Sequence, residues 1–352
     1  MIKHVVSLSV LAATLLMNTN LNAETIKASD ARISLMGRAQ PLDDGGLRFA
    51  YPGVSVFLNV EGAQMSMTAH SNSGNGWVDV IVDDAAPTRI QLAQTPTSYE
   101  LFRFAKPGKH KVRITHRTET WQAISTLSSF TLDKGQVLAP SPLPSRKILF
   151  LGDSVTCAEM IDRVPGEKSN PSWSNARESY GMLTATALNA QVQLVCYGGR
   201  GLVRSWNGKT DELNLPDFYP LTIPDQAAPV NWDKQGYQPD LVVSAIGTND
   251  FSQGIPERED YISTYVTLVN QLLHDYPNTQ IALTEGAILN GDKKATLIEY
   301  LRETISRVNS SRVHQVTSPH YPGDEQDAHP TKAQHAAMAE NLTPQLKALM
   351  HW

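Results

Sequence analysis

The chain has 352 residues, of which 41% are hydrophobic and 18% charged, with a formal net charge of −5. That is longer than one typical domain and holds enough apolar material for more than one core, so two domains are expected. Mild acidity without a block of like charges argues against nucleic acid or an anionic lipid surface as partner, and two cysteines exclude a disulfide scaffold.

Residues 1–23 combine Lys3 and His4, an apolar stretch from Val5 to Met17, and a small-residue end at Leu21-Asn22-Ala23. This is the layout of a secretory signal peptide. The stretch is too short to span a bilayer, and no later segment approaches about 18 apolar residues. A secreted or periplasmic protein without a membrane span is expected. Export would permit one bridge between Cys157 and Cys196, although sequence alone does not decide whether it forms.

Residues 24–138 carry a period-two rhythm in short, β-branched and aromatic-rich runs such as "VSVFLNV", "AQMSMTAH", "GWVDVIVDD", "SYELFRFA", "HKVRITHRT" and "STLSSFTLD". Tyr51-Pro52-Gly53 and Pro107-Gly108 read as turns between strands. The expectation is an all-β sandwich of the jelly-roll kind. Residues 139–146, rich in proline, read as a linker.

From residue 147 to 352 the rhythm changes. The apolar runs "KILFL", "VQLVCY", "DLVVSAIG", "QIALTEG" and "RVHQVTS" alternate with helix-period segments. In one of these, Tyr261, Tyr265, Leu268, Val269 and Leu272 share a face at spacings of three and four. The pattern predicts an α/β domain: a parallel sheet with helices on both faces and ligands beyond the carboxyl ends of its strands. Two long polar insertions, 162–179 and 203–239, interrupt it. They carry Trp173, Trp206 and Trp232, candidates for lining a sugar-binding cleft.

Four polar blocks follow the strands in order: Gly152-Asp153-Ser154, Gly198-Gly199-Arg200-Gly201, Gly247-Thr248-Asn249-Asp250 and Asp327-Ala328-His329. Each alone is a turn or a cap; together they fit acyl transfer. A serine hydroxyl needs a base, and His329 can serve as base and then as acid. The oxyanion of the tetrahedral intermediate needs preorganised donors. The Ser154 backbone N–H, a backbone N–H of the glycine block and the Asn249 side-chain amide are the candidates.

These blocks resemble the SGNH (GDSL-like) hydrolases over most of residues 146–352. "GDSVTC", "ESYG", "GGRGL", "GTND" and "DAHPT", after a β domain containing "VDVIVDD" and "PGKHKVRITHRTE", are similar across the mature chain to carbohydrate esterase family two. The resemblance implies a secreted acetyl esterase acting on xylan, glucomannan and related plant polysaccharides, with a jelly roll ahead of an SGNH domain. It implies Ser154 as nucleophile, His329 as base, and Asn249 with Gly199, or its competitor Gly201, in the oxyanion hole. Two departures stand out. The position three before the histidine is Gln326, which leaves Asp327 or a backbone carbonyl to orient His329. After Cys157, where relatives often continue "GYG", this chain reads Ala158-Glu159-Met160. No cofactor or metal is expected, and the partner is an acetylated polysaccharide acted on by a monomer. The alternatives are another SGNH esterase (lipase, thioesterase or peptidoglycan O-acetylesterase) and a non-catalytic carbohydrate-binding protein.

Overall fold

The computed structural model describes residues 23–352, so the segment read as a signal peptide lies, apart from its last residue, outside the described residues. Ten strands between Glu24 and Val137 form one antiparallel hydrogen-bonded network. Its backbone is the pairing of Ser55–Ser71 with Thr97–His116 on one side and Ser125–Asp133 on the other. In the first of these, Val56, Leu58 and Val60 point inward, and so do Met65, Met67 and Ala69. The change of phase between the two sets has a local cause. Gly62 pairs with Gly108 and Gln64 with Arg103, so residues 104–107 bulge out opposite a single residue. One consequence corrects the sequence reading, which placed a strand break at Pro107-Gly108. The chain runs through as one bulged strand, because proline's missing N–H is tolerated where the ladder is already interrupted.

Residues 138–145 hold no regular element. They run along the β domain, where Asn59 Nδ2 donates to the carbonyl of Ala139. The second domain follows with five parallel strands: β1 Arg146–Gly152, β2 Ala190–Cys196, β3 Leu241–Ala245, β4 Gln280–Thr284 and β5 Val313–Gln315. Their spatial order is β2-β1-β3-β4-β5. The strands are almost wholly apolar because both faces are covered. Leu149 and Leu151 pack on one side against α3 (Arg258–Asp275) and α4 (Gly291–Val308). Ile148 and Phe150 pack on the other against α2 (Tyr180–Ala187) and α5 (Lys332–Met350). Among the described residues no helix is long and apolar enough to cross a membrane.

The strand order reverses at β1, so β1 and β3 flank the switch point at which crevices open in such sheets. Blocks one and three of the motif series follow these two strands.

The domains are locked together by buried polar contacts. The Arg38 guanidinium, 1% exposed, donates to the Tyr219 and Leu221 carbonyls and to Gln193 Oε1. Just after Thr97–His116, Arg117 is equally buried. It donates to both oxygens of Asp79 at 2.8 Å and to Asp162 at 2.6 Å. From there residues 118–123 of the β domain run across the hydrolase domain beside the ends of β1 and β2.

Candidate active site

Ser154 opens a single turn of helix, α1 (Ser154–Cys157), directly after β1. Asp153 caps that turn, its Oδ1 accepting the Val155 N–H at 3.0 Å, and burial pushes its carboxyl up to about 6. The Ser154 hydroxyl lies 2.8 Å from His329 Nε2, and His329 Nδ1 lies 2.5 Å from Asp327 Oδ1. The same Asp327 oxygen accepts the His329 backbone N–H at 2.8 Å. The structure thus joins Asp327, His329 and Ser154 in one hydrogen-bonded row.

Burial by itself would lower His329. The Asp327 hydrogen bond and the carboxyl groups of Glu159, Asp327 and Asp153 outweigh it, so His329 titrates above its ordinary range. Asp327 moves the opposite way: burial opposes the shift, but the hydrogen bonds from His329 and the charges of His329 and Arg163 hold it below the usual carboxylate range. His335, six residues on, is fully buried and pushed down to about 3 by burial, unsuited to base chemistry.

The second and third blocks meet Ser154 across a cleft of about 530 Å³ lined by Gly198, Gly199, Arg200 and Asn249 with Ser154 and His329. Gly199 sits at φ +73°, and a Cβ there would lie 2.8 Å from the Trp206 ring. Glycine meets both demands. Asn249 Nδ2 donates to the Arg200 carbonyl at 2.8 Å. That bond fixes the amide and uses one of its two N–H groups. Gly201, the competitor for the second donor, does not line this cleft. It is buried, its N–H directed to Asn214 Oδ1 at 3.4 Å, and its Cα faces Arg204 and Asp250. Asp250 holds the loop: its carboxylate accepts the N–H groups of Leu202, Val203 and Arg204. Burial still leaves that carboxyl raised to about 6.

Cys157 at the end of α1 and Cys196 at the end of β2 form a disulfide, with Cα atoms 5.6 Å apart. The bond ties the turn that carries Ser154 to the strand that feeds the glycine block. Thr120 of the β domain braces the same point, donating to the Cys196 carbonyl at 2.7 Å.

Of the three candidate tryptophans, only Trp206 lines the cleft, at 59% exposure. Trp173 must be corrected: it is 2% exposed and does not line the cleft. Trp232 must be corrected as well, since its ring covers Arg38 at 5.1 Å and does not line the cleft. The other tryptophan lining the cleft is instead Trp121, 54% exposed and supplied by the β domain. Among the described residues no group of three or more His, Cys, Asp or Glu side chains is arranged to hold a metal ion.

Comparison with known proteins gives this geometry a family. Residues 35–142 match the Carbohydrate esterase 2 N-terminal domain and residues 150–337 the GDSL-like Lipase/Acylhydrolase family. The chain is 56% identical over 331 residues to an acetylxylan esterase / glucomannan deacetylase of Cellvibrio japonicus (strain Ueda107), covering 94% of this chain and 92% of that protein. The chain belongs to carbohydrate esterase family two. It is a carboxylic ester hydrolase, which sets aside the non-catalytic reading. A solved family-two esterase from Cellvibrio japonicus superposes with a TM-score of 0.93 at 56% identity, over 94% of this chain and 99% of that one. Another, from Clostridium thermocellum in complex with cellohexaose, superposes with a TM-score of 0.84 at 31% identity, over 91% of this chain and 99% of that one.

In this family-two esterase the departure after Cys157 has a clear backbone signature. Ala158 and Met160 both adopt φ +61°, the left-handed region where glycine is the ordinary choice. Arg163 clamps the turn, donating to the Met160 carbonyl at 3.0 Å, the His329 carbonyl at 2.9 Å and Asp324 at 2.8 Å. Glu159, between the two left-handed residues, enters the cleft with its Oε2 4.0 Å from His329 Nε2. Burial and the charges of Asp327 and Asp153 raise its carboxyl, although His329 opposes the shift. Behind it Glu119, wholly buried, takes the Gly198 N–H at 2.5 Å and the Trp121 N–H at 3.0 Å. Burial first, then the charge of Glu159, raises Glu119 far above its ordinary value.

Sequence reasoning missed Trp121, Glu119 and Arg163, and quoted Glu159 and Asp250 without a role. For Glu119 and Trp121 a signal was present: "RTETWQA" is a polar, tryptophan-bearing segment between two strands of an otherwise alternating domain.

Proposed function

We propose that this esterase is exported and removes O-acetyl groups from plant polysaccharides of the xylan and glucomannan type through an acetyl-enzyme. The observation that carries the reading is the Asp327–His329–Ser154 row at the head of an open cleft flanked by Trp121 and Trp206. In acylation, Ser154 Oγ attacks the acetyl carbonyl carbon and its proton passes to His329 Nε2. The negative oxygen of the tetrahedral intermediate takes hydrogen bonds from the Ser154 and Gly199 backbone N–H groups and from the Asn249 amide. Collapse breaks the bond between the carbonyl carbon and the sugar oxygen, which receives the proton from Nε2. Water then repeats the sequence on the acetyl-serine, with Nε2 taking its proton and returning one to Ser154 as acetate leaves. Asp327 holds the Nδ1–H tautomer and stabilises the imidazolium in both halves.

Two exposed indoles on an open cleft suit the apolar faces of sugar rings, whereas a long acyl chain requires an enclosed apolar tunnel beside the serine. The 56% identical relative, an acetylxylan esterase / glucomannan deacetylase, supports the same substrate class. The test compares the wild type with Ser154→Ala on a chromogenic acetate and on acetylated xylan. Acetate release should fall at least about 10³-fold on both, as expected for loss of a triad nucleophile. Equal rates in the two proteins would overturn the assignment of the nucleophile. Faster wild-type cleavage of long-chain esters than of acetates would favour the lipase reading.

A further inference from the structure

We propose that Glu159 is a specificity-determining residue that hydrogen-bonds a free hydroxyl of the sugar residue from which acetate is removed. The inference rests on the acyl-enzyme reading above, and four observations lead to it.

The first is position. Nε2 of His329 delivers the proton to the departing sugar oxygen, so that oxygen must lie beside Nε2. Glu159 Oε2 is 4.0 Å from Nε2 and lines the same cleft, which places it on the leaving-group side of the reacting ester. The second is division of labour between two carboxyl groups. Glu119 is wholly buried, and its oxygens are occupied by the N–H groups of Gly198 and Trp121. It fixes the floor. Glu159 stands above it, 18% exposed in its side chain and with acceptor capacity left toward the cleft.

The third observation is tight support. A Cβ on Gly198 would lie 2.9 Å from Glu159 Oε2, 3.0 Å from Trp121 Nε1 and 3.1 Å from the Glu119 carboxyl carbon. These groups converge on the glycine block, so that only a residue without a side chain fits beside the Glu159 carboxyl. The fourth is strain. Two non-glycine residues in the left-handed region flank Glu159, a strained conformation that persists only where the surroundings impose it. The Arg163 bonds to the Met160 and His329 carbonyls supply that constraint and tie the turn to the histidine loop.

The chemistry follows from desolvation. A carboxyl group this enclosed gains from a hydroxyl partner and is left unsatisfied by an alkyl or aryl leaving group, so it discriminates between ester classes. Trp121 and Trp206 offer flat apolar contact to any ring; Glu159 reads the hydroxyls that distinguish a sugar from other rings.

The experiment measures kcat/KM for a singly acetylated methyl glycoside, for analogues lacking each free hydroxyl in turn, and for 4-nitrophenyl acetate, with wild type and Glu159→Ala. The wild type should lose roughly 10- to 100-fold on removal of one particular hydroxyl. In Glu159→Ala that penalty should collapse, and the loss on the glycoside should exceed the loss on the aryl ester by a similar factor. Glu159→Gln, which keeps the shape, should fall between the two. Because the deoxygenation series is run first on the wild type, misfolding of a variant cannot imitate the result. A wild type indifferent to every hydroxyl overturns the proposal. So do equal losses on glycoside and aryl ester in both variants, which would mean that Glu159 acts only through His329. Absence of acetate release from any acetylated glycoside by the wild type would overturn the substrate reading itself, a distinguishable failure.

Discussion

Replacing Asp327 by Asn tests how His329 is oriented, and the structure sets the size of the effect. Asp327 Oδ1 accepts both the Nδ1–H and the backbone N–H of His329, at 2.5 Å and 2.8 Å. A hydrogen bond to a charged acceptor is worth about 1.5–3 kcal/mol, which corresponds to roughly 10- to 150-fold in kcat. A much larger loss, near 10⁴, arises when the substituted amide turns its NH₂ toward the ring and forces the wrong tautomer. Here the backbone N–H of His329 demands an oxygen at the Oδ1 position, so the amide oxygen should stay there and the Nδ1–H tautomer should survive. The expected loss is therefore about 10²-fold. The pH profile should move too. Asp327 raises His329, and in the proposed mechanism the base form is the active one, so removing the carboxylate should shift the acid limb of kcat/KM to lower pH. The assay is kcat and kcat/KM on 4-nitrophenyl acetate across pH, with thermal melting to confirm a folded variant. Turnover within about threefold of wild type and an unmoved acid limb would refute the role of Asp327 and return it to a backbone carbonyl. A fall of about 10⁴ would refute the argument that the backbone N–H fixes the amide.

Two further outcomes follow from the packing. Replacing Cys157 and Cys196 together by serine opens a loop spanning 39 residues, and chain entropy puts the loss at about 4 kcal/mol; a urea midpoint unchanged from wild type would contradict it. Arg117→Met takes from the buried Asp79 one of its two guanidinium partners, leaving Arg177 at 3.0 Å, and removes a partner of Asp162; a loss of about 1.5–3 kcal/mol should be readable in the same denaturation, and stability equal to wild type would show the pair to be dispensable.

The hydrolase sheet was legible because its strands are buried on both faces and read as continuous apolar runs. The motif blocks were legible because chemistry collects at the carboxyl ends of such strands. That Ser154, Gly199, Asn249 and His329 would line one cleft could be expected without knowing any distance between them. The β domain was legible in class but not in detail: the long strands look like four short ones because a bulge near Gly62 reverses which residues face inward. The tryptophans misled for a related reason. Composition put Trp173, Trp206 and Trp232 in loops beside the site. Nothing in a local pattern tells a ring that packs under its loop from one that stands over a cleft. Trp121 and Glu119 stand out in sequence only as a polar segment between two strands; that they border the cleft depends on how one domain docks against the other. Ala158 and Met160 show the opposite limit. A left-handed turn normally announces itself through glycine, and this chain makes the turn without one.

The segment from Arg117 to Ala123 carries an implication for how this architecture can change over time. A sugar-binding module that merely rides beside an enzyme can be exchanged for another and leave the chemistry intact. Here the smaller domain lends a carboxyl to the Gly198 turn, a hydroxyl to the end of β2 and an indole to the cleft. Grafting in a foreign β domain would remove those three groups at once, so the two halves are bound to be inherited as a unit. New substrate preferences are then more accessible through single changes along that shared seam than through reshuffling of whole domains.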